Sequence, residues 1–182
     1  MLRAVSAVPW PPGVRATFSL GPPENFALTA EGQRRSPEAW RALDEHLGGR
    51  GVRHLRQIHS ATLHWAGALA HEDAVLAGDG LWARAGDPAV AVLAADCLPV
   101  LLTQAQGTCV AAVHAGWRGL AGGILEAAVA GLDDGVTGLR GSMAWLGPCI
   151  GPASFEVGLE VVEALGGASA GSARPGAPGK AW

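Results

Sequence analysis

Three apolar runs in the middle of the chain constrain its fold more than any other feature. They cover Ala89–Ala95, Pro99–Thr103 and Thr108–His114. The pair Asp96-Cys97 separates the first two runs, and a Gln106-Gly107 turn precedes the third. Continuous apolar runs of this length are typical of strands that are buried on both faces. The sequence therefore predicts a sheet at the centre of the fold.

Helices and shorter strands are predicted on either side of these runs. Ser36-Pro37-Glu38 combines an N-cap hydroxyl, a first-turn proline and an acidic side chain, and Gly48-Gly49 ends the helix that begins there. The other predicted elements are strands at Val14–Leu20, Val52–Ile58, Ala61–Ala66 (paired with Val52–Ile58) and Ala144–Leu146, and helices at Leu120–Leu132 and Val157–Leu165. Strands precede and surround the helices without strict alternation, which favours the α+β class.

The length of 182 residues suits one domain. We expect this domain to cover residues 1–165. Residues 166–182 are rich in Gly, Ala and Pro and have no periodicity, which is typical of a linker or a disordered tail. Apolar residues make up 49% of the chain and charged residues 16%, a composition that excludes a wholly disordered protein.

Charge and cysteine usage exclude several classes of partner and compartment. The net charge is −3 and there is no basic run, which argues against nucleic-acid or acidic-membrane partners. The three cysteines are widely spaced and form no C-x-x-C pair, so a reducing compartment is expected. With neither a signal peptide nor an apolar span, the sequence predicts a soluble, cytoplasmic protein.

Four polar or reactive side chains lie at the ends of predicted strands. Asp96-Cys97 separates two buried strands, where a purely structural sequence would carry a Gly/Asn turn. His114 ends the third apolar run directly before a glycine-rich turn, and His59 ends the predicted strand Val52–Ile58. A rigid sheet places such loop-side residues accurately, so we expect a functional site here.

Two kinds of chemistry fit these residues. His59, Cys97 and His114 suit a zinc ion that keeps one position open for water and lowers the pKa of that water to about 7. Alternatively, Cys97 is a nucleophile, His114 is its base, and Asp96 orients the histidine. The sequence pattern alone does not separate the two.

Three residues near His114 in the sequence give weaker indications of a role in the site. Cys109 lies five residues before His114 on the same strand and therefore points to the opposite face, into the core. Arg118 lies among glycines at a helix start, which is either an anion site or close helix packing. Trp117 is either a wall for a stacked base or, more simply, core.

Four segments resemble the laccase-domain family, also called multicopper polyphenol oxidase proteins, which is associated with purine nucleoside phosphorylase and adenosine deaminase activity and, in one branch, with peptidoglycan editing. They are RQIHS, AVLAADCLPVLL, AAVHAGWRGLAGGILEAAV and AWLGPCIGPASFEVG. The resemblance implies a four-layer αββα sandwich with mixed β-sheets, related to cysteine hydrolases. It also implies metal ligands at His59, Cys97 and His114.

The resemblance implies phosphorolysis of adenosine, inosine and methylthioadenosine, together with deamination of adenosine, by a monomer or homodimer. Arg118 and Gln57 are then candidate contacts to phosphate or substrate. True laccase chemistry fits poorly, because a multicopper oxidase needs more histidines, many of them in H-x-H pairs. This chain has six histidines and no such pair. Copper nevertheless remains an alternative to zinc.

Two departures from the family pattern leave further hypotheses open. The segment at Arg15–Leu20 lacks the family's histidine and arginine, and members continue well beyond Trp182 with a Tyr-containing segment. The chain is therefore expected to lack a C-terminal segment of the family. The alternatives to a nucleoside enzyme are a metal-independent cysteine hydrolase acting on an amide or peptidoglycan precursor, and a non-catalytic member that keeps the site or only the fold.

Overall fold

The computed structural model describes residues 10–18, 26, 34, 36–69, 76–133, 135, 138–166 and 180–181. Over these residues the helices are α1 (Pro37–Leu47), α2 (Trp117–Ala121), α3 (Ile124–Leu132) and α4 (Leu159–Ala164). The strands are β1 (Val52–Arg53), β2 (Leu63–Trp65), β3 (Gly80–Arg84), β4 (Ala89–Val90), β5 (Leu98–Thr103), β6 (Cys109–Ala115), β7 (Met143–Leu146), β8 (Val157–Gly158) and β9 (Lys180–Ala181). None of the helices in these ranges has the length and apolarity that crossing a bilayer requires. The class is α+β, as predicted.

A five-stranded sheet in the order β2-β3-β6-β5-β7 forms the centre of the fold. Strand β6 pairs antiparallel with both β3 and β5, and β5 pairs antiparallel with β7, whereas β2 and β3 are parallel. The predicted strands Pro99–Thr103, Thr108–His114 and Ala144–Leu146 are confirmed as β5, β6 and β7. Strands β6 and β5 lie inside the sheet and β7 lies at its edge.

Alternation along β6 separates the core from the site. Cys109, Ala111 and Val113 lie on the face that packs against Ile124 and Ala128 of α3. His114 has the opposite parity and points to the other face of the sheet. The prediction that Cys109 belongs to the core is confirmed, since its side chain is 5% exposed and lies in this cluster.

Helix α1 begins and ends as its sequence predicts. Proline lies at its start, and Gly48 ends it in the left-handed conformation with φ 117°. The Ser36 side chain makes no capping hydrogen bond. Trp40 and Leu43 are buried against Val52, so this helix covers the two-stranded β1–β4 sheet.

Two strand predictions were too long. Only Val52–Arg53 of the predicted strand Val52–Ile58 is strand, and only Ala89–Val90 of the run Ala89–Ala95. Their pairing ends early because the Gln57 side chain replaces a backbone partner, with Nε2 donating to the Leu93 carbonyl (2.6 Å) and Oε1 accepting from the Leu93 N–H (2.8 Å). His59 consequently lies in a loop and not at a strand end.

Other boundaries differ for local reasons. The segment Ala61–Ala66 contains β2, which pairs with β3 and not with Val52–Ile58. The predicted helix Leu120–Leu132 is two helices, α2 and α3, because the chain turns at Gly122-Gly123, where Gly123 has φ 86°. The predicted helix Val157–Leu165 begins two residues later, after β8.

The chain ends are described only in part. Residues 14–18 of the predicted strand Val14–Leu20 have no regular structure, and residues 19–20 lie outside the described residues. Of the tail over 166–182, the described residues are Gly166 and Lys180–Ala181. The latter pair forms β9, which pairs antiparallel with β8.

We expect Cys109→Ala to leave metal content unchanged and activity within a few-fold, because its side chain lies on the α3 face of β6. The lost sulfur contacts should lower the free energy of unfolding by about 1 kcal/mol. Denaturant unfolding together with metal analysis of the purified variant checks both effects. Complete loss of metal would contradict the assignment of Cys109 to the core face.

Candidate functional site

Three side chains from distant parts of the sequence converge at one end of the sheet. His59 comes from the loop before β2, Cys97 from the bend before β5, and His114 from the end of β6. One ligand atom of each lies within 4.8 Å of the others. Pairing of Leu98 with Ala115 brings Cys97 to the end of β6, and its Sγ lies 3.8 Å from His59 Nε2. The set offers one sulfur and two imidazole nitrogens to a metal ion, which is a zinc-like donor set with room for a fourth ligand.

A buried carboxylate, Asp79, holds two of these three residues in place. The side chain of Asp79 is fully buried, and its Oδ1 lies 2.9 Å from His114 Nδ1. It also accepts hydrogen bonds from the backbone N–H groups of Ile58 (3.2 Å), His59 (3.0 Å) and Ser60 (2.6 Å) and from the Ser60 hydroxyl (2.8 Å). The His59 loop and the His114 ring therefore have a common anchor.

Charge on Asp79 determines which nitrogen of His114 is available. Burial raises the pKa of Asp79, but the hydrogen bonds from Ser60, His114 and His59 outweigh it and hold this pKa below its ordinary value. A charged carboxylate only accepts hydrogen bonds, so His114 Nδ1 is the donor. The lone pair on Nε2 then remains for a metal, as in the carboxylate–histidine–metal arrangement of many sites.

The backbone at His59 is strained. His59 has φ 60°, and no other non-glycine residue in the described ranges has a positive φ. Such a conformation costs about 1–3 kcal/mol and persists only where the surroundings impose it. Asp79 imposes this conformation because its carboxylate accepts hydrogen bonds from three successive backbone N–H groups. The loop also packs closely against α2, since a Cβ on Gly119 would lie 2.8 Å from the Ser60 carbonyl oxygen.

Gly116 leaves space for all three ligands. A Cβ at this position would lie 2.9 Å from His59 Cδ2, 3.3 Å from Cys97 Sγ and 3.7 Å from His114 Cε1. The φ of Gly116 is −71°, so the backbone itself accepts any residue. Glycine is needed here for close approach and not for conformation.

We expect Gly116→Ala to lower metal affinity by about tenfold or more, because the methyl group displaces ligands that must keep their relative positions. Overpacking should lower the free energy of unfolding by about 1–3 kcal/mol. Gly151→Ala is the matched control, since a Cβ there meets nothing within 4 Å. Competition with a metallochromic chelator measures the affinity, and equal affinity in the two variants would contradict this role of Gly116.

The surroundings of Cys97 favour its neutral thiol over the thiolate. Burial, and then the negative charges of Asp96 and Asp79, raise the pKa of this thiol above its ordinary value. The environment therefore disfavours a free thiolate. Such surroundings suit a cysteine that loses its proton when a cation binds. The charge of a bound cation lowers the pKa of the thiol and so opposes the effect of the two aspartates.

The other site residues named from the sequence lie around these ligands in different ways. Asp96 is exposed and lines the same cavity as His59, Cys97 and His114. Arg118 is exposed, with its guanidinium carbon 4.2 Å from the centre of the Trp117 ring. Gln57 has its amide bonded to Leu93. Arg118 and Gln57 are absent from the lining of that cavity, so their contacts to phosphate or substrate stay predictions.

The other histidines that the structure describes, together with Cys149, lie outside the set of three ligands. His54 is buried with its ring 4.7 Å from that of Trp40, and His64 Nε2 lies 3.0 Å from the Ala77 carbonyl oxygen. His46 is exposed in the last turn of α1, and Cys149 is exposed after β7. His71 lies outside the described residues.

Sequence reasoning missed Asp79 and Gly116. It assigned the orienting carboxylate to Asp96, whereas the carboxylate bonded to His114 belongs to Asp79. The available signal was the Gly78-Asp79-Gly80 segment, in which a charge flanked by glycines directly precedes an apolar strand. The signal for Gly116 was its place directly after the strand that carries His114.

A cavity of about 920 Å³ opens beside the three ligands. It lies over the face of β5 and β6 that carries His114, and its walls are mainly apolar. Representative lining residues are Phe18, Trp40, Leu93, Leu101, Val110 and Pro148. Its size lies within the range of small-molecule sites, which are mostly apolar with a few polar groups at one point.

Comparisons with known proteins relate this chain to one family. The model of the multi-copper polyphenol oxidoreductase laccase family matches residues 27–181. A purine nucleoside phosphorylase of Pseudomonas aeruginosa is 47% identical over 111 residues, which are 61% of this chain and 43% of that protein. Purine nucleoside phosphorylase YfiH of Escherichia coli is 56% identical over 75 residues, 41% of this chain and 30% of that protein. An adenosine deaminase from an unknown prokaryotic organism is 40% identical over 95 residues, 52% of this chain and 36% of that protein.

Solved structures give the same relationship at the level of the fold. A Neisseria meningitidis protein superposes with a TM-score of 0.69 at 35% identity, over 87% of this chain and 64% of that one. The matched segments of the three relatives above are 43%, 30% and 36% of their lengths, so the chain spans less than half of each. The family match nevertheless covers most of this sequence, and the chain belongs to the multi-copper polyphenol oxidoreductase laccase family.

Proposed function

We propose that this chain carries the catalytic site of a purine nucleoside phosphorylase acting on adenosine, inosine and methylthioadenosine, with adenosine deaminase activity. The observation that carries the proposal is the convergence of His59, Cys97 and His114 on the wall of a cavity large enough for a nucleoside. Relatives named for both activities support it. In this proposal residues 1–165 form one domain of the four-layer αββα type, acting as a monomer or homodimer.

Zinc is the metal we propose for these ligands, with copper as the alternative. One thiolate and two imidazoles are a borderline-soft donor set that both ions accept. Bound there, such an ion would act as a Lewis acid and would lower the pKa of a water molecule. His114 Nε2, His59 Nε2 and Cys97 Sγ are the proposed ligand atoms. Asp79 orients the His114 ring and holds the backbone of the His59 loop.

The remaining residues have proposed roles in moving groups and protons. In phosphorolysis a phosphate oxygen bonds to ribose C1′ while the bond from C1′ to the purine nitrogen breaks, and the departing base takes up a proton. Asp96 lines the cavity, and its proposed role is to accept the proton that dihydrogen phosphate gives up as it attacks and to pass this proton to the departing base. Arg118 is the proposed phosphate contact, because a guanidinium fork matches phosphate oxygens, and Gln57 stays a proposed substrate contact.

A cysteine hydrolase is the second candidate. The 3.8 Å separation of Cys97 Sγ from His59 Nε2 favours it with His59 as the base, since a nucleophile needs a base within reach, whereas the hypothesis from the sequence gave that role to His114. The raised pKa of Cys97 weighs against it. No carboxylate is bonded to the His59 ring within the described residues, whereas the oriented ring belongs to His114.

The test uses purified, metal-quantified protein incubated with adenosine and with inosine, each with and without phosphate. Phosphate-dependent release of free base from the wild-type chain, absent from Cys97→Ala, supports the proposal. Release of ammonia from adenosine tests the deaminase part separately. Full activity after complete removal of metal would overturn the metal part of the proposal, and absence of turnover at about one metal per chain would overturn the proposal for this chain by itself.

A further inference from the structure

Cys149 is an exposed thiol in the segment that follows β7. The residue before it, Pro148, lines the cavity beside His59, Cys97 and His114. Cys149 itself lies outside the set of three ligands. The chain therefore carries an exposed cysteine at the end of the sheet where the proposed metal ligands converge.

Two backbone hydrogen bonds hold this segment beside the bend that carries Cys97. The Gly147 N–H donates to the Pro99 carbonyl (2.8 Å), and the Ile150 N–H donates to the Asp96 carbonyl (2.9 Å). Both bonds join residues in the same antiparallel register that pairs β5 with β7. The two segments therefore run side by side beyond the end of the regular strands.

Two residues of each segment lie between these hydrogen bonds, and the register places Cys97 opposite Cys149. Opposite residues of an antiparallel pair have their Cα atoms about 4.5–5.5 Å apart. A disulfide joins cysteines whose Cα atoms are about 4.4–6.8 Å apart. The backbone therefore holds the two cysteines at a separation that a disulfide spans.

The cysteines differ in how easily a reagent in solution reaches them. Cys149 is exposed and Cys97 is half-buried, whereas Cys109 is buried on the α3 face of β6. Thiol–disulfide exchange begins at an accessible sulfur. Cys149 is therefore the first point of attack by a small disulfide, and Cys97 is the cysteine that lies opposite it.

We propose that Cys97 and Cys149 form a reversible disulfide that excludes the metal ion. The Cys149 thiolate attacks a small disulfide such as glutathione disulfide, forms a mixed disulfide and releases one glutathione. The Cys97 sulfur then attacks the Cys149 sulfur, forms the bond between the two cysteines and releases the second glutathione. Two cysteine thiols are oxidised, one glutathione disulfide is reduced, and the two protons leave on the two glutathione thiols.

The disulfide and the metal compete for one sulfur atom. A cysteine binds a metal as its thiolate, and a disulfide sulfur carries no charge. The oxidised chain therefore keeps only His59 and His114 of the ligand set, and a metal bound at Cys97 in turn protects this sulfur from exchange. This competition rests on the proposed metal site, whereas formation of the disulfide does not.

Peptide mapping of the full chain tests the proposal. Metal-loaded and chelator-treated protein are each incubated with glutathione disulfide, free thiols are alkylated, and the digest is analysed by mass spectrometry without reduction. We expect a peptide that links Cys97 to Cys149 from the chelator-treated chain. Free zinc at about ten times its Kd should slow formation of this peptide about tenfold, because that fraction of the chain is protected. Dithiothreitol should restore both free thiols and the zinc content.

Two variants are the controls. Cys149→Ser should give no linked peptide, and Cys109→Ser should give the same linked peptide as the wild type, because Cys109 lies on the other face of β6. Absence of the linked peptide from the wild type, or a dimer joined through Cys149 as the only product, would overturn the proposal. Zinc affinity that stays at the wild-type value in the linked chain would also overturn it. Failure of the proposed nucleoside activity has a different signature, since the linked peptide then forms in a chain without turnover.

Discussion

Asp79→Ala is expected to lower the free energy of unfolding by about 3–5 kcal/mol and metal affinity by about 10–100-fold. The substitution removes the acceptor of three backbone N–H groups, of the Ser60 hydroxyl and of His114 Nδ1. Buried donors left without an acceptor are costly. Without these hydrogen bonds the positive φ of His59 is no longer stabilised. The proton of the His114 ring is then no longer fixed on Nδ1, so the ring can change tautomer.

Graded variants separate this anchoring role from general damage to the protein. Ser60→Ala removes one of the hydrogen bonds to Asp79 and should lower the free energy of unfolding by only about 1 kcal/mol. Asp133→Ala removes an exposed carboxylate that bonds the Gly135 N–H and is the matched control. Denaturant unfolding and chelator competition measure the two effects. Wild-type metal affinity in a folded Asp79→Ala protein would contradict the proposed anchor.

Cys97→Ala is expected to abolish stoichiometric metal binding, because the site loses its thiolate and two imidazoles remain. The fold should survive, since Cys97 is only half-buried and lies at a bend. A metal that binds the native state raises its stability in proportion to RT ln(1 + [L]/Kd). Added zinc should therefore raise the Tm of the wild-type chain and leave the Tm of this variant unchanged.

Cys149→Ala is the matched control for this experiment, because it removes an exposed thiol outside the ligand set. It should keep both the metal and the zinc-dependent rise in Tm. Metal content measured by atomic emission spectrometry gives the stoichiometry directly. Unchanged zinc content in Cys97→Ala would exclude the three-ligand site.

The central strands and the first helix were predictable because their signals are local. Apolar runs specify β5 and β6, since only a doubly covered strand tolerates such runs. Proline and glycine mark the ends of α1 through their backbone conformations. The strand parity of Cys109 follows from the two-residue repeat of any strand. None of these inferences requires knowledge of which elements pack together.

The lengths of the weaker strands were not predictable in this way. Val52–Ile58 and Ala89–Ala95 have strand-like sequences, yet a strand continues only while its neighbour offers backbone partners. At Leu93 the backbone N–H and C=O groups bond to the Gln57 side chain and not to a neighbouring strand. The Asp79 carboxylate accepts hydrogen bonds from the backbone of residues 58–60, which holds them in a loop. Both effects depend on residues more than 18 positions away. A local pattern therefore overestimates these strands.

The sequence by itself determined the class of the fold and the chemical identities of His59, Cys97 and His114 as candidate ligands. Only the tertiary structure decided that Asp79, and not Asp96, orients His114, and that Gly116 must lack a side chain. The physical reason is that ligand identity belongs to a residue, whereas orientation and close approach belong to pairs of residues. Asp79 lies 20 positions from His59 and 35 positions from His114 in the sequence. The pairing of β3 with β6 brings Asp79 next to His114.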